Sequence, residues 1–189
     1  MRLFIALSLA KEEKDYIYNK INSYKDKISE KLKWVEKENL HITLKYIGDL
    51  DKYKISELIQ YIVFVSHTIE QQCFDLGSIA ALPHIDYPRI VYLSVKDLNN
   101  NLSFIHQNLE EKLSGLGIKK DKKKYIPHIT LARCKRKTNM KKLSLEIKYL
   151  TDKINFNNNK IKLNKISLYN SILHKEGPVY EELYNFTFK

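Results

Sequence analysis

Apolar positions along this chain switch between the two spacings that strands and helices require. Leu3 to Leu9 is a continuous apolar run and predicts a buried strand. Over residues 11 to 31 charged positions dominate, with Tyr16, Ile17, Ile21, Tyr24 and Ile28 at helical intervals, so an amphipathic helix is expected. Leu40 to Ile47 predicts a second strand, closed by Gly48-Asp49. Ile55, Leu58, Ile59, Ile62 and Val63 then mark a helix with one apolar face. Phe74 to Leu82 and Arg89 to Val95 predict two strands, and Pro83 and Pro88 block a helix between them.

The same rhythm returns further along. Leu98 to Leu113 predicts a helix ended by Gly115 and Gly117. A basic loop, Lys119 to Lys124, leads to a strand over His128 to Cys134. A helix is expected over 138 to 150 and a loop at Asn157-Asn158-Asn159. Lys160 to Asn170 and Val179 to Phe188 read as strands around Gly177-Pro178. Helices and strands are mixed, and several strands are joined by short turns. That combination favours an α+β fold with antiparallel sheets over a doubly wound one.

The length of 189 residues fits one domain, or one domain of two similar lobes, and an apolar share of 43% supplies a core. Met1 to Ala10 has neither the basic region nor the cleavage site of a targeting signal and is too short to span a bilayer. No membrane association is therefore expected. Cys73 and Cys134, the two cysteines, form no ligand spacing and no disulfide framework, which suits a reduced cytoplasm. Cys134 reads as a small strand or core residue. The net charge of +11 suggests a polyanion such as nucleic acid. Abundant Lys, Ile, Asn and Tyr are also what an AT-rich genome writes into any protein, so charge alone decides little.

The informative feature is a repeated tetrapeptide. His41-Ile42-Thr43-Leu44 recurs as His128-Ile129-Thr130-Leu131, each at the start of an expected strand that precedes an expected helix. Alternate strand residues share a face, so His and Thr of each copy point one way while Ile and Leu enter the core. Two such strands from similar lobes can present both pairs to one groove. Opening a cyclic phosphodiester with water needs a base for the water proton and an acid for the departing ribose oxygen. Histidine serves in both roles, because its ordinary pKa near 6.5 leaves both forms populated around neutrality. The Thr hydroxyls can donate to the charge that develops on phosphate. No carboxylate cluster with ligand spacing is present in the sequence, and neither a metal nor another cofactor is expected. A single His-Ile-Thr-Leu would read as an ordinary strand with a satisfied imidazole, and spacing alone leaves that alternative open.

Around these motifs the chain resembles the RNA 2′,3′-cyclic phosphodiesterases of the 2H phosphoesterase superfamily, formerly described as 2′-5′ RNA ligases. The resemblance runs nearly end to end. It rests on Met1-Arg2-Leu3-Phe4-Ile5-Ala6, on Trp34-Val35 with Glu38 to Gly48, and on Pro88 to Leu93. It continues through Pro127-His128-Ile129-Thr130-Leu131-Ala132-Arg133, Leu168 to Ser171 and Gly177 to Tyr180. It implies two pseudo-symmetric lobes, each an antiparallel sheet flanked by helices, with the cleft between them. Residues 1 to 189 would form a single bilobal unit. It also implies that His41 donates the proton to the leaving 3′ oxygen and that His128 accepts the proton of water. The product would be a 2′-phosphomonoester, and the reverse reaction would join ends through a 2′-5′ bond. The expected partner is RNA ending in a 2′,3′-cyclic phosphate, tRNA fragments included, acted on by a monomer.

The family places an arginine near the phosphate, and Arg133 matches it. Five residues after His128, a regular strand would turn Arg133 to the opposite face, so a bulge or the strand's end must redirect it. Otherwise it is a solvated member of the basic run Arg133 to Lys137. Lys45 shares parity with His41 and Thr43 and would line the groove or face solvent. The loop Lys119 to Lys124 would track an RNA backbone or simply be solvated. Phe4 and the tyrosines could stack on a base, although core packing explains most strand aromatics. His67 and His106 are expected on helix surfaces, His84 in the proline-bounded loop and His174 in a turn, none with a catalytic role. With both motifs intact the expectation is metal-independent hydrolysis with a rate maximum near neutral pH. The alternatives are a related enzyme for small cyclic nucleotides, ADP-ribose cyclic phosphate or 2′-5′ oligoadenylate, and a non-catalytic RNA-binding module.

Overall fold

A computed structural model describes residues 1–135, 138–157, 159–174 and 177–189. Arg136 and Lys137 of the basic run, and Asn158 of the expected loop, lie outside the described residues. The strands are β1 (Arg2–Ser8), β2 (Leu32–Trp34), β3 (His41–Asp49), β4 (Gln72–Leu82), β5 (Ile90–Lys96), β6 (His128–Cys134), β7 (Lys160–Leu163), β8 (Lys165–His174) and β9 (Gly177–Thr187). The helices are α1 (Lys11–Asn22), α2 (Ile55–His67), α3 (Asn101–Ser114) and α4 (Met140–Lys153). All the strand pairings are antiparallel and follow one path, β7-β4-β5-β6-β3-β1-β8-β9, with β2 beside β6.

The expected α+β fold with antiparallel strands and helices is what forms. Its two halves, β7-β4-β5-β6 and β3-β1-β8-β9, share one continuous sheet instead of two separate ones. They meet where β3 pairs with β6 at Ile42 and Ile129. These two residues hold the same place in the two repeats. An antiparallel pair of equivalent residues sits on a local two-fold relationship, and this pair organises the site. Both side chains are fully buried in the core.

The core forms where the periodic stripes converge. β1 lies between β3 and β8, and Leu3, Ile5, Ala6 and Leu7 are all fully buried there. α3 packs on β3 and against α2, while α4 covers β4. Local differences from the sequence reading are physical. The first helix stops at Asn22 instead of reaching residue 31, and a short 3-10 turn follows at Lys25–Lys27. Tyr24 and Ile28 still pack on the core from irregular backbone, so their spacing mimicked a helix. The run 160 to 170 breaks at Asn164, because β7 pairs with β4 and β8 pairs with β1 and β9. One stretch therefore serves both halves.

Candidate active site

β3 and β6 start alike and then break the strand rule in the same way. From each histidine onward the six residues run half-buried, buried, half-buried, buried, buried, exposed. The doubled buried pair marks a bulge in each strand. Opposite β1, Ala6 pairs with Thr43 and Ile5 with Lys45, which leaves Leu44 as the extra residue. Opposite β5, Tyr92 pairs with Thr130 and Val91 with Ala132, which leaves Leu131 extra. A bulge strips its residue of a ladder partner, so the freed carbonyl must be satisfied elsewhere. Leu44 O accepts from His106 Nδ1 at 2.8 Å, and Leu131 O accepts from the Val35 amide at 2.8 Å.

The bulges decide what faces the cleft. Past each one parity is reversed, so the fifth residue after each histidine joins the His/Thr face. That residue is Tyr46 in one copy and Arg133 in the other. A cavity of about 120 Å³ is lined by His41, Thr43, Thr130, Tyr46 and Arg133, among others. His128 lines an adjoining open groove of about 880 Å³, which shares Thr43 and Tyr46 with the cavity. On the other side Arg133 and Tyr180 also line a cleft of about 540 Å³ that includes Trp34. His41, Thr43, Thr130 and Arg133 thus gather at one cavity, with His128 on its groove side.

Lys45 does neither of the things expected of it. The reversal turns it inward, where it is 1% exposed. It forms an ion pair with Glu110 of α3, reaches Asp121 at 3.3 Å, and donates to Lys119 O at 2.8 Å. His106 is likewise no free surface residue. It is half-buried, bonded to Leu44 O, and stacked on Tyr125 with ring centroids 4.3 Å apart. Its place beside the stripe Leu102, Ile105 and Leu109 was the available signal, and it marks an edge position rather than a solvent face. Tyr125 in turn donates to Thr43 O at 3.3 Å. Tertiary folding gathers His106, Glu110 and Asp121 within metal-ligand reach of one another, a cluster no sequence spacing shows. The Lys45 ammonium already bonds both carboxylates, so a cationic charge stands among these ligands.

The two histidines are anchored alike at Nδ1. His41 Nδ1 lies 2.7 Å from Asn39 O, and His128 Nδ1 lies 2.6 Å from Ile126 O, each a carbonyl two residues earlier. A carbonyl can only accept, so each Nδ1 carries a proton and each Nε2 is left for chemistry. His41 Nε2 lies 3.0 Å from Thr43 Oγ1, whose hydroxyl donates to it when the ring is neutral. Loss of water around the imidazole lowers the His41 pKa from 6.5 to about 4, against the raising effect of the Asn39 carbonyl. Positive charge on Lys14, His128 and Arg133 adds to the lowering. Burial also lowers His128, helped by Arg133 and opposed by the Ile126 carbonyl.

Aromatic rings fix the imidazoles from the side. Phe4 lies 5.2 Å from His41 and stacks on Tyr169 at 5.1 Å, while Tyr180 meets His41 edge-on at 5.4 Å. Tyr92 meets His128 edge-on at 5.2 Å. Phe4 is 4% exposed, which makes it a wall more than a free stacking face. Cys134 is half-buried against the core, and loss of water raises its thiol pKa, in keeping with a packing role. His67, His84 and His174 are exposed and line no part of the 120 Å³ cavity.

A family model described as the 2′-5′ RNA ligase superfamily matches residues 14–169. The chain belongs to that superfamily. Among curated proteins it is 36% identical over 181 residues to an RNA 2′,3′-cyclic phosphodiesterase of Methanocaldococcus jannaschii, covering 96% of this chain and 97% of that one. Among solved structures it is similar to TT0787 of Thermus thermophilus, with a TM-score of 0.77 at 20% identity over 100% of this chain and 98% of that one. It is also similar to E. coli LigT complexed with 3′-AMP, with a TM-score of 0.72 at 21% identity over 99% and 97% of the two chains. These structures share the fold of this chain. Among the described residues, no helix is long and apolar enough to cross a membrane.

Proposed function

We propose that this protein hydrolyses RNA 2′,3′-cyclic phosphate ends to 2′-phosphomonoesters. The observation that carries the reading is the pair of His-x-Thr motifs related across Ile42 and Ile129, each with its Nδ1 tied to a carbonyl. The relatives named RNA 2′,3′-cyclic phosphodiesterase point to the same reaction. In this reaction water attacks phosphorus and the P–O3′ bond breaks. His128 Nε2 takes the water proton, and His41 Nε2 gives its proton to O3′. The phosphate stays on O2′. Thr43, Thr130 and Arg133 donate to the phosphate oxygens, where charge accumulates. The chemistry uses no metal.

One imidazole must be charged while the other is neutral. The low His41 pKa means that the ring is neutral in the free protein at pH 7. A bound monoanionic phosphodiester favours the charged form and raises that pKa, so substrate itself arms the donor. Mutual repulsion disfavours charging both rings at once, so the proton that the bound phosphate draws in leaves the second ring neutral. Run backwards, the same steps join a 5′-hydroxyl to the cyclic end through a 2′-5′ bond. The two halves act as one catalytic unit, a cytoplasmic monomer whose substrates include tRNA fragments.

The test is a short RNA with a 2′,3′-cyclic phosphate, incubated in EDTA with the wild type and with His41→Ala and His128→Ala. Opening to a 2′-phosphate by the wild type alone is expected. A 3′-phosphate product would overturn the donor assignment. Loss of activity in EDTA that added metal restores would overturn the metal-free chemistry. RNA bound but left intact would instead establish a binding module.

A further inference from the structure

The open groove beside His128 has a wall held by buried charge. Lys119 to Asp121 are fastened at two backbone points: Lys45 Nζ donates to Lys119 O at 2.8 Å, and the Asp121 amide donates to Glu110 Oε2 at 2.8 Å. Lys45 and Glu110, 1% and 8% exposed, form the ion pair beneath. At the other end, Tyr125 is clamped between His106 and the Thr43 carbonyl. The stretch between, Lys122-Lys123-Lys124, is exposed and lines the groove, with Arg89 also on its wall. Tyr46, 51% exposed, stands where the groove meets the catalytic cavity.

A loop of like charges normally repels itself and remains solvated. Here the chain is anchored on both sides of the lysines, and all three residues line one concave surface. A polyanion is the ligand that relieves such repulsion. The catalytic cavity, at about 120 Å³, has room for little beyond a phosphate, while the groove at about 880 Å³ has room for more than one nucleotide. Cationic walls with an exposed aromatic at the entry are the chemistry of single-stranded nucleic acid binding.

We propose that this groove is a polynucleotide subsite. Lys122, Lys123, Lys124 and Arg89 pair with phosphates upstream of the reacting end, and Tyr46 stacks on a base next to it. The inference rests on the hydrolytic reading for its substrate and adds that the protein selects polymers over mononucleotides.

The test compares a single-stranded decamer RNA ending in a 2′,3′-cyclic phosphate with a mononucleotide 2′,3′-cyclic phosphate, using wild type and the Lys122→Ala/Lys123→Ala/Lys124→Ala variant. The ratio of decamer to mononucleotide kcat/KM should fall tenfold or more in the variant. The salt slope for decamer binding should drop by about 2, since each phosphate contact to a single strand contributes about 0.7. A matched Lys141→Ala/Lys142→Ala/Lys153→Ala variant on α4, with the same net charge, should leave the ratio within twofold. A ratio within twofold in the loop variant overturns the subsite, as does an equal fall in the α4 variant. If the wild type opens neither substrate, the hydrolytic reading fails, and decamer binding with and without the loop lysines decides the subsite separately.

Discussion

Tyr46 and Arg133 occupy equivalent positions in the two halves, each five residues after its histidine and each turned to the cleft by a bulge at the third residue. The site is therefore symmetric in its histidines and threonines and asymmetric here. One half offers a neutral ring, the other a cation. Arg133 brings positive charge to the cavity wall beside His41 and Thr130. It adds to the lowering that burial imposes on both histidine pKa values, and it partly offsets the rise that burial gives the Tyr180 hydroxyl.

Arg133→Met should lower kcat/KM by ten- to hundredfold, the range of about 1.5–3 kcal/mol expected for a lost charge-assisted bond. Arg133→Lys should recover part of it, because the charge returns without the planar fork. Steady-state rates on a cyclic-phosphate RNA check this. Wild-type values for Arg133→Met would return Arg133 to the solvated basic run.

His41→Ala and His128→Ala should each cost about a hundredfold or more, the usual worth of a positioned acid or base. The double variant should be scarcely worse than either single one, because both protons move in the same reaction. Single-turnover rates measure chemistry without product release. Near-normal rates in either single variant would remove that histidine from the mechanism.

The sequence alone suggests a rate maximum near neutrality; the burial of both imidazoles predicts a lower one. The mixed protonation state is most populated midway between the two pKa values. Burial lowers His41 to about 4 and pushes His128 below 6.5. The maximum in kcat/KM, which reports the free protein, should therefore lie on the acid side, between about 4 and 6.5. The maximum in kcat should lie higher, since bound phosphate raises the imidazolium pKa. Both profiles come from rates measured across pH 4 to 9, and coincident maxima at pH 7 or above would contradict the burial argument. The same depression has a consequence for stability. Below pH 6.5 the unfolded chain takes up protons that folded His41 refuses, so this contribution is complete above 6.5 and is lost as pH falls toward about 4. His41→Gln should flatten that part of a urea-midpoint profile.

Lys45→Met should destabilise the fold by about 3–5 kcal/mol, because Glu110 is left buried without its cation. Adding Glu110→Leu should restore most of the loss, since an apolar pair of similar volume has no charge to bury. Urea denaturation of the two variants measures both. A single-variant loss under 1 kcal/mol would show that the Asp121 amide and water suffice for Glu110 without the pair.

Much of this was legible in one dimension. The strands and helices follow from periodicity, and the repeat of His41-Ile42-Thr43-Leu44 at His128 names the four residues that the fold brings to one face. Features without a periodic signature were not legible. β2 has three residues, too few to show alternation. The helix expected to residue 31 ended early because Tyr24 and Ile28 reach the core from a different backbone.

The bulges separate what sequence determined from what folding decided. Identity, order and alternation placed His41, Thr43, His128 and Thr130 on one face, because side-chain direction in a strand has a fixed period. That period cannot reveal an extra residue. Leu44 and Leu131 become bulges only because β1 and β5 pair with their strands in a register that skips them, and His106 and Val35 are there to satisfy the freed carbonyls. Those partners come from elements far away in the chain. So the sequence specified the histidines and threonines by itself, while tertiary structure turned Arg133 and Tyr46 toward the cleft and sent Lys45 into the core. Which face a side chain occupies beyond a bulge depends on what pairs with the strand, and that is a property of the whole fold.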